Sequence, residues 1–144
     1  MQLRRLFRAA PVGVTVLLLL SGCAKHDANR GAVAGQVKLD GKLLEEGSIL
    51  FTPIEGTKGA VAGGRIQQGQ YRLTGRDGPA VGKNRVEIRA VRKSGKMTLK
   101  AMSPSGEMVD AYEAAVAPRF NTKSTLTAVV KPGDNTANFE VESK

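Results

Sequence analysis

The chain has 144 residues, with 22 Lys and Arg against 13 Asp and Glu, for a formal net charge of +9. It holds one cysteine, one histidine and no tryptophan, and aromatic residues make up 4%. That excludes a disulfide framework, a His-rich metal centre and an aromatic core, leaving one ordinary domain packed from Val, Leu, Ile and Ala.

Arg4, Arg5 and Arg8 open the chain, and Val12 to Leu20 follow as an apolar run broken only by Gly13 and Thr15. The run is well short of the roughly 20 residues a membrane-spanning helix needs, so a cleaved leader is expected. It closes on Leu20-Ser21-Gly22-Cys23. A basic start, a short apolar stretch and a Leu-small-small-Cys box together resemble a bacterial lipoprotein. The resemblance implies removal of residues 1–22 and a diacylglyceryl group on the Cys23 sulfur. The membrane is then the first partner, held through acyl chains that contribute about 0.8 kcal/mol per buried methylene. Ala24 stands where an Asp would favour retention at the inner membrane, so the resemblance implies the cell envelope and, within it, the outer membrane. Removing the leader leaves 122 residues at net charge +6, since its three arginines leave with it. Residues 23–30 are polar and read as a tether.

From Gly31 onward the pattern has period two. Val33, Gly35, Val37 and Leu39 share one side of an extended segment, and Asp40-Gly41 supplies a turn with positive φ. Ser48 to Ile54 is a second strand, with Ile49 and Phe51 on one face; Pro53 removes a ladder donor, so the strand ends there or lies at an edge. Ala60 to Gln67 is a short strand weakened by Gly63-Gly64. Gln68-Gly69 turns into Gln70 to Thr74, where Tyr71 and Leu73 point inward. After the break at Arg76-Asp77-Gly78-Pro79 comes the clearest strand, Arg85 to Arg92, in which Val86, Ile88 and Ala90 alternate with Arg85, Glu87 and Arg89. Regularity lapses from Lys93 to Thr122, where Val109, Tyr112 and Val116 are spaced for one or two helical turns. Ser124 to Lys131 resumes as a strand, Pro132-Gly133-Asp134-Asn135 makes a turn, and Thr136 to Glu142 closes the chain with Phe139 and Val141 on one side. About seven short strands between turn signals predict an all-β, antiparallel sandwich.

Gly35-Gln36-Val37-Lys38-Leu39-Asp40-Gly41-Lys42-Leu43, Gly47-Ser48-Ile49-Leu50-Phe51-Thr52-Pro53, Gly69-Gln70-Tyr71-Arg72-Leu73, Gly82-Lys83-Asn84-Arg85-Val86-Glu87-Ile88, the Pro118-to-Thr127 stretch and the closing Val130-to-Val141 stretch occur in an informative order. That order resembles the carboxypeptidase-regulatory-like, or transthyretin-like, domains of small bacterial lipoproteins, over residues 31–142. The resemblance implies a single seven-stranded Greek-key sandwich and a non-catalytic accessory or structural module. Family members often carry Tyr where this chain has Asn84, which replaces only the polar part of a phenol.

His26, the sole histidine, lies in the tether with no second ligand, so neither a zinc site nor a Ser-His-acid triad is expected, and no cofactor. Asp40, Asp77 and Asp134 are explained by turns. Arg85 and Arg89 share a strand face that Lys93 extends. An anionic partner such as an envelope polysaccharide could dock there, but Glu87 between them weakens that reading and favours a solvated strand face. Interleaved aromatics are missing, so nucleic acid is not expected. The irregular stretch holds Met97, Met102 and Met108, either an adaptable surface for an envelope protein or gap-fillers folded over a sheet edge. The sequence therefore predicts a non-enzymatic, membrane-anchored structural or interaction module, with glycan binding as the alternative.

Overall fold

The computed structural model describes residues 29–101 and 104–144. The leader, Cys23, His26 and Met102 lie outside them. Among the described residues the fold is all-β and contains no α-helix. Its strands are β1 (Gly31–Leu39), β2 (Lys42–Leu43), β3 (Glu46–Pro53), β4 (Ala62–Gln67), β5 (Gln70–Leu73), β6 (Gly82–Arg89), β7 (Val91–Leu99), β8 (Met108–Ala114), β9 (Thr127–Val130), β10 (Gly133–Thr136) and β11 (Phe139–Val141). Two single-turn 3-10 segments, Gly75–Asp77 and Pro118–Phe120, sit between strands.

The main sheet runs β10-β1-β5-β4-β3-β6-β9, and β2 and β11 also pair with β1. Pairing is antiparallel except where β1 meets β10 and β11. This sheet is curled, and the chain itself shows how far. Strands β9 and β10 stand at opposite ends of the strand order, yet only Lys131 and Pro132 join them. Three peptide steps reach about 11 Å, whereas the edges of a flat seven-stranded sheet lie about 29 Å apart. The two edges must therefore approach each other, giving a half-barrel. Asn135 fastens the junction: its Oδ1 accepts from the Lys131 N–H at 2.9 Å, and its Nδ2 donates to the Lys131 and Ala32 carbonyls.

The concave side carries the predicted inward residues. Val33, Val37, Ile49, Phe51, Val86 and Ile88 are all buried, as are Tyr71 and Leu73. Each contributes about 1.5–3 kcal/mol relative to full exposure. Phe51, Tyr71 and Phe139 form an aromatic chain with centroids 6.2 and 6.4 Å apart. The tight turns also follow the sequence. Asp40 (φ 50°) with Gly41 (φ 80°) joins β1 to β2, and Gln68 (φ 50°) with Gly69 (φ 75°) joins β4 to β5. Both are two-residue hairpin loops with positive φ at each central position. Strand β3 ends at Pro53, where the missing N–H costs no internal ladder bond.

Three expectations need correction. Val109 and Tyr112 do not form helical turns: they lie on β8, which pairs with β7 in a separate two-stranded sheet. The strand expected over Arg85 to Arg92 is divided at Ala90, where the chain leaves β6 for β7. Gly133 to Asn135, read as part of a turn, instead form β10 with Thr136 and pair in parallel with Gly31 to Ala34. The closing strand is accordingly two strands, interrupted at Ala137-Asn138. There the Ala137 N–H donates to the Ala34 carbonyl, and Asn138 Oδ1 accepts from the Gln36 N–H. Gly35 lies beneath this crossing: a Cβ on it would stand 1.8 Å from the Ala137 carbonyl oxygen, so only glycine lets the two backbones meet.

The described body begins at Asn29, inside the predicted tether. Its carbonyl accepts from the Val81 N–H, and Arg30 forms an isolated bridge with Ala80. Both contacts are at the start of β6, while the β7–β8 hairpin leaves from the end of β6. That strand is eight residues long, about 24 Å at the usual rise. The N-terminal end of the body and the hairpin are therefore at opposite ends of the sheet.

Candidate functional site

The cationic strand face is neutralised from within. Period two places Arg85, Glu87 and Arg89 on one side of β6. The two Glu87 oxygens are divided between the arginines, at 2.9 Å to Arg85 and 2.7 Å to Arg89. The Glu87 side chain is only 10% exposed. The Arg89 hydrogen bond holds its carboxyl below the usual carboxylate range against the opposing effect of burial, and the charge of Arg85 adds to this. Lys93 does not extend the row. It belongs to the hairpin sheet, where Asp110 meets its ammonium at 2.5 Å and raises its pKa. Two further hairpin cations are paired in the same way, Arg92 with Glu113 and Lys100 with Glu107, each at 2.9 Å. The structure therefore does not gather Arg85, Arg89 and Lys93 into one anion site. The carboxylate partners of the hairpin cations come from β8 and the turn before it, 7 residues on for Lys100 and 21 for Arg92, where no local pattern announces them.

Two guanidinium groups that sequence reasoning passed over are different. Arg65 on β4 and Arg72 on β5 have no carboxylate partner among the described residues. They line one shallow polar concavity with Gln67, Gln68 and Gln70. Arg65 falls in the strand that Gly63-Gly64 weakens, so its alternation was faint.

The hairpin gathers two of the predicted methionines. Opposed residues share a face, and the pairs Val91↔Ala114, Lys93↔Tyr112, Met97↔Asp110 and Leu99↔Met108 fix which. Two extra residues between Lys93 and Met97, including Gly95 at φ 76°, bulge β7 without changing the parity. Val91, Met97, Leu99, Met108 and Tyr112 consequently lie on the same face, with the Lys93–Asp110 pair near its middle. These five are 50–68% exposed, so Met97 and Met108 do not fill gaps in the core. The base of the hairpin is anchored: the Ala115 N–H donates to the Ala90 carbonyl, and Ala115, Val116 and Ala117 are buried. Val116, read with the helical spacing, is thus a core residue.

Asn84 opens β6 from a wholly buried position. Its Nδ2 donates to the Ala80 and Gly82 carbonyls at 2.8 and 3.0 Å, tying the preceding turn to the strand. Its Oδ1 has no protein partner. Among the described residues no three His, Cys, Asp or Glu side chains converge as a metal cluster, and no helix is long and apolar enough to cross a membrane.

No protein-family model matches the chain, and no curated protein is significantly similar to it. Among solved structures, a 9R-lipoxygenase from Cyanothece PCC8801 aligns over 76% of this chain and 16% of its own, at 14% identity and a TM-score of 0.33. A likeness at that score carries no argument about fold or activity.

Proposed function

We propose that the protein is a non-enzymatic lipoprotein of the cell envelope, held in the outer membrane by acyl chains on Cys23, whose body serves as a protein-interaction module. The observation that carries the interaction reading is the one-sided apolar face of the β7–β8 hairpin. Soluble proteins keep such patches where something docks. The anchoring reading rests on the leader and its Leu-small-small-Cys box. Geometry agrees with a short tether: Asn29 stands six residues beyond Cys23, a reach of about 20 Å, and the hairpin projects from the far end. The body is read as a variant of the transthyretin-like Greek-key sandwich. The curl that brings β9 beside β10 supports this, as does the burial of the residues its motifs share.

Metabolic labelling with an alkynyl palmitate tests the anchor. Label should enter the wild-type chain, which should sediment with membranes, and both properties should disappear in Cys23→Ser. An unlabelled wild-type chain defeats the anchoring reading.

Arg65 and Arg72 support a second reading, an envelope polysaccharide bearing carboxylate or phosphate groups. The two unpaired guanidiniums and the Gln side chains between them supply donors for such a polymer. A glycan array on the wild-type chain and on Arg65→Ser/Arg72→Ser decides it; equal responses end this reading.

A further inference from the structure

Neither β7 nor β8 pairs with the main sheet. A two-stranded hairpin left to itself is marginal in water, and this one shows Val91, Met97, Leu99, Met108 and Tyr112 at 50–68% exposure on a single face. We propose that this face is covered by the same face of a second copy of the chain, so that the protein is a dimer joined hairpin to hairpin. This deepens the interaction reading above by naming the partner.

Three observations select a second copy. First, the face carries a single pair of opposite charges, Lys93 and Asp110. A two-fold axis passing between them sets positive against negative, so the patch is its own complement. Because the pair is already bonded, closing the interface buries no unpaired charge. A strongly acidic or basic partner would find no matching field. Second, the area suffices. Five large apolar side chains at 50–68% exposure on each copy bring the contact near the lower limit of a specific interface, about 1,000 Å². Anchoring in one membrane raises the effective concentration and makes that modest area adequate. Third, a lipid surface fits poorly: the hairpin leaves the end of β6, about 24 Å from the end where Asn29 enters.

The test is proximity crosslinking of the full chain in intact cells with a short bismaleimide. Met97→Cys places a thiol near the centre of the face, and Thr98→Cys places one on the opposite face, paired with Val109. Both positions are exposed, so neither change disturbs the core. Met97→Cys should give a homodimer and Thr98→Cys none. Adding Tyr112→Lys to Met97→Cys should lower the dimer yield about tenfold, the loss expected of an aromatic anchor. Equal yields at 97 and 98, a chain that stays monomeric, or an adduct with a different protein would each overturn the proposal. The wild-type chain separates this from the anchoring reading. A wild-type dimer reports a free Cys23 thiol and removes the lipid anchor, and repeating the comparison in Cys23→Ser then decides the hairpin by itself.

Discussion

Replacing Glu87 with Gln tests whether the cationic face of β6 is an internal ion network. Glu87 is nearly buried, and each oxygen takes one guanidinium. Gln keeps the shape and one acceptor but removes the charge and leaves one arginine without its partner. A charge-assisted hydrogen bond is worth about 1.5–3 kcal/mol. Arg85 and Arg89 are 42% and 52% exposed, and water recovers much of that, so the net cost is about 1–2 kcal/mol. For a domain of this size the loss lowers Tm by about 5 °C. The pH dependence follows from the depressed pKa of the carboxyl. Its stabilisation is complete above the unfolded-state value of about 4.3 and disappears as pH falls through the lower folded-state value. Thermal melts should therefore show a constant gap between wild type and Glu87→Gln from pH 8 to about 5, closing in stronger acid as Glu87 itself protonates. The released arginines should also lengthen retention on heparin at low salt. A gap that persists unchanged below pH 3, or no gap at neutral pH, refutes the network.

The crossing of backbones at Gly35 separates close approach from turn strain. Gly35→Ala should cost about 3 kcal/mol or more in urea titrations, since its Cβ meets a carbonyl that cannot move aside. Gly41→Ala, at φ 80° with open space around it, should cost only about 1–2 kcal/mol from left-handed strain. Equal costs would show that β1 and the C-terminal strands do not meet as described. Tyr71→Phe should lose about 1–2 kcal/mol, because the phenol donates to the Ala137 carbonyl at 2.7 Å from a buried site. Burial also raises its pKa. An ultraviolet titration should accordingly show Tyr71 ionising only on alkaline unfolding.

The half-barrel was legible where one face of a strand is dry. Ile49 and Phe51, Tyr71 and Leu73, and Val86 and Ile88 alternate in sequence because burial demands it on one side only. The hairpin was not legible for the same reason. Both its faces are wet, so Arg92, Lys93, Lys96 and Lys100 interrupt the apolar series, and the two-residue bulge at Gly95 parts Val91 from Met97 and Leu99. Methionine content correctly marked Met97 and Met108 as unusual, but only the register shows them sharing a face with Tyr112. The Pro132-Gly133-Asp134-Asn135 stretch misled differently. Its residues are those of a turn, yet backbone bonds to β1 hold residues 133–136 extended with hardly any side-chain burial. Glu87 between Arg85 and Arg89 is visible in the sequence as a reason against an anion site; how deeply its carboxylate sits between them is not.

The arrangement of the two ends gives this division a physical sense. If the domain is tethered as proposed, an apolar docking surface belongs away from the lipid, where the bilayer cannot compete for it. The β6 strand supplies that separation. Its first residues meet Asn29 and Arg30 through Val81 and Ala80, and its last residues launch the hairpin. Between them, Val86 and Ile88 are packed in the core while Glu87 binds both neighbouring arginines. On the anchoring and docking proposed above, rigidity of β6 would set the distance and direction from membrane to hairpin. Weakening it at Glu87 should loosen the hairpin relative to the body before it unfolds the sheet. Hydrogen exchange on Glu87→Gln should show faster exchange at Ala115, whose N–H bonds to Ala90 at the hairpin base, with the β3–β4 ladder unchanged. Uniform acceleration across both would mean that the hairpin and sheet open as one unit, and that β6 is not a separable spacer.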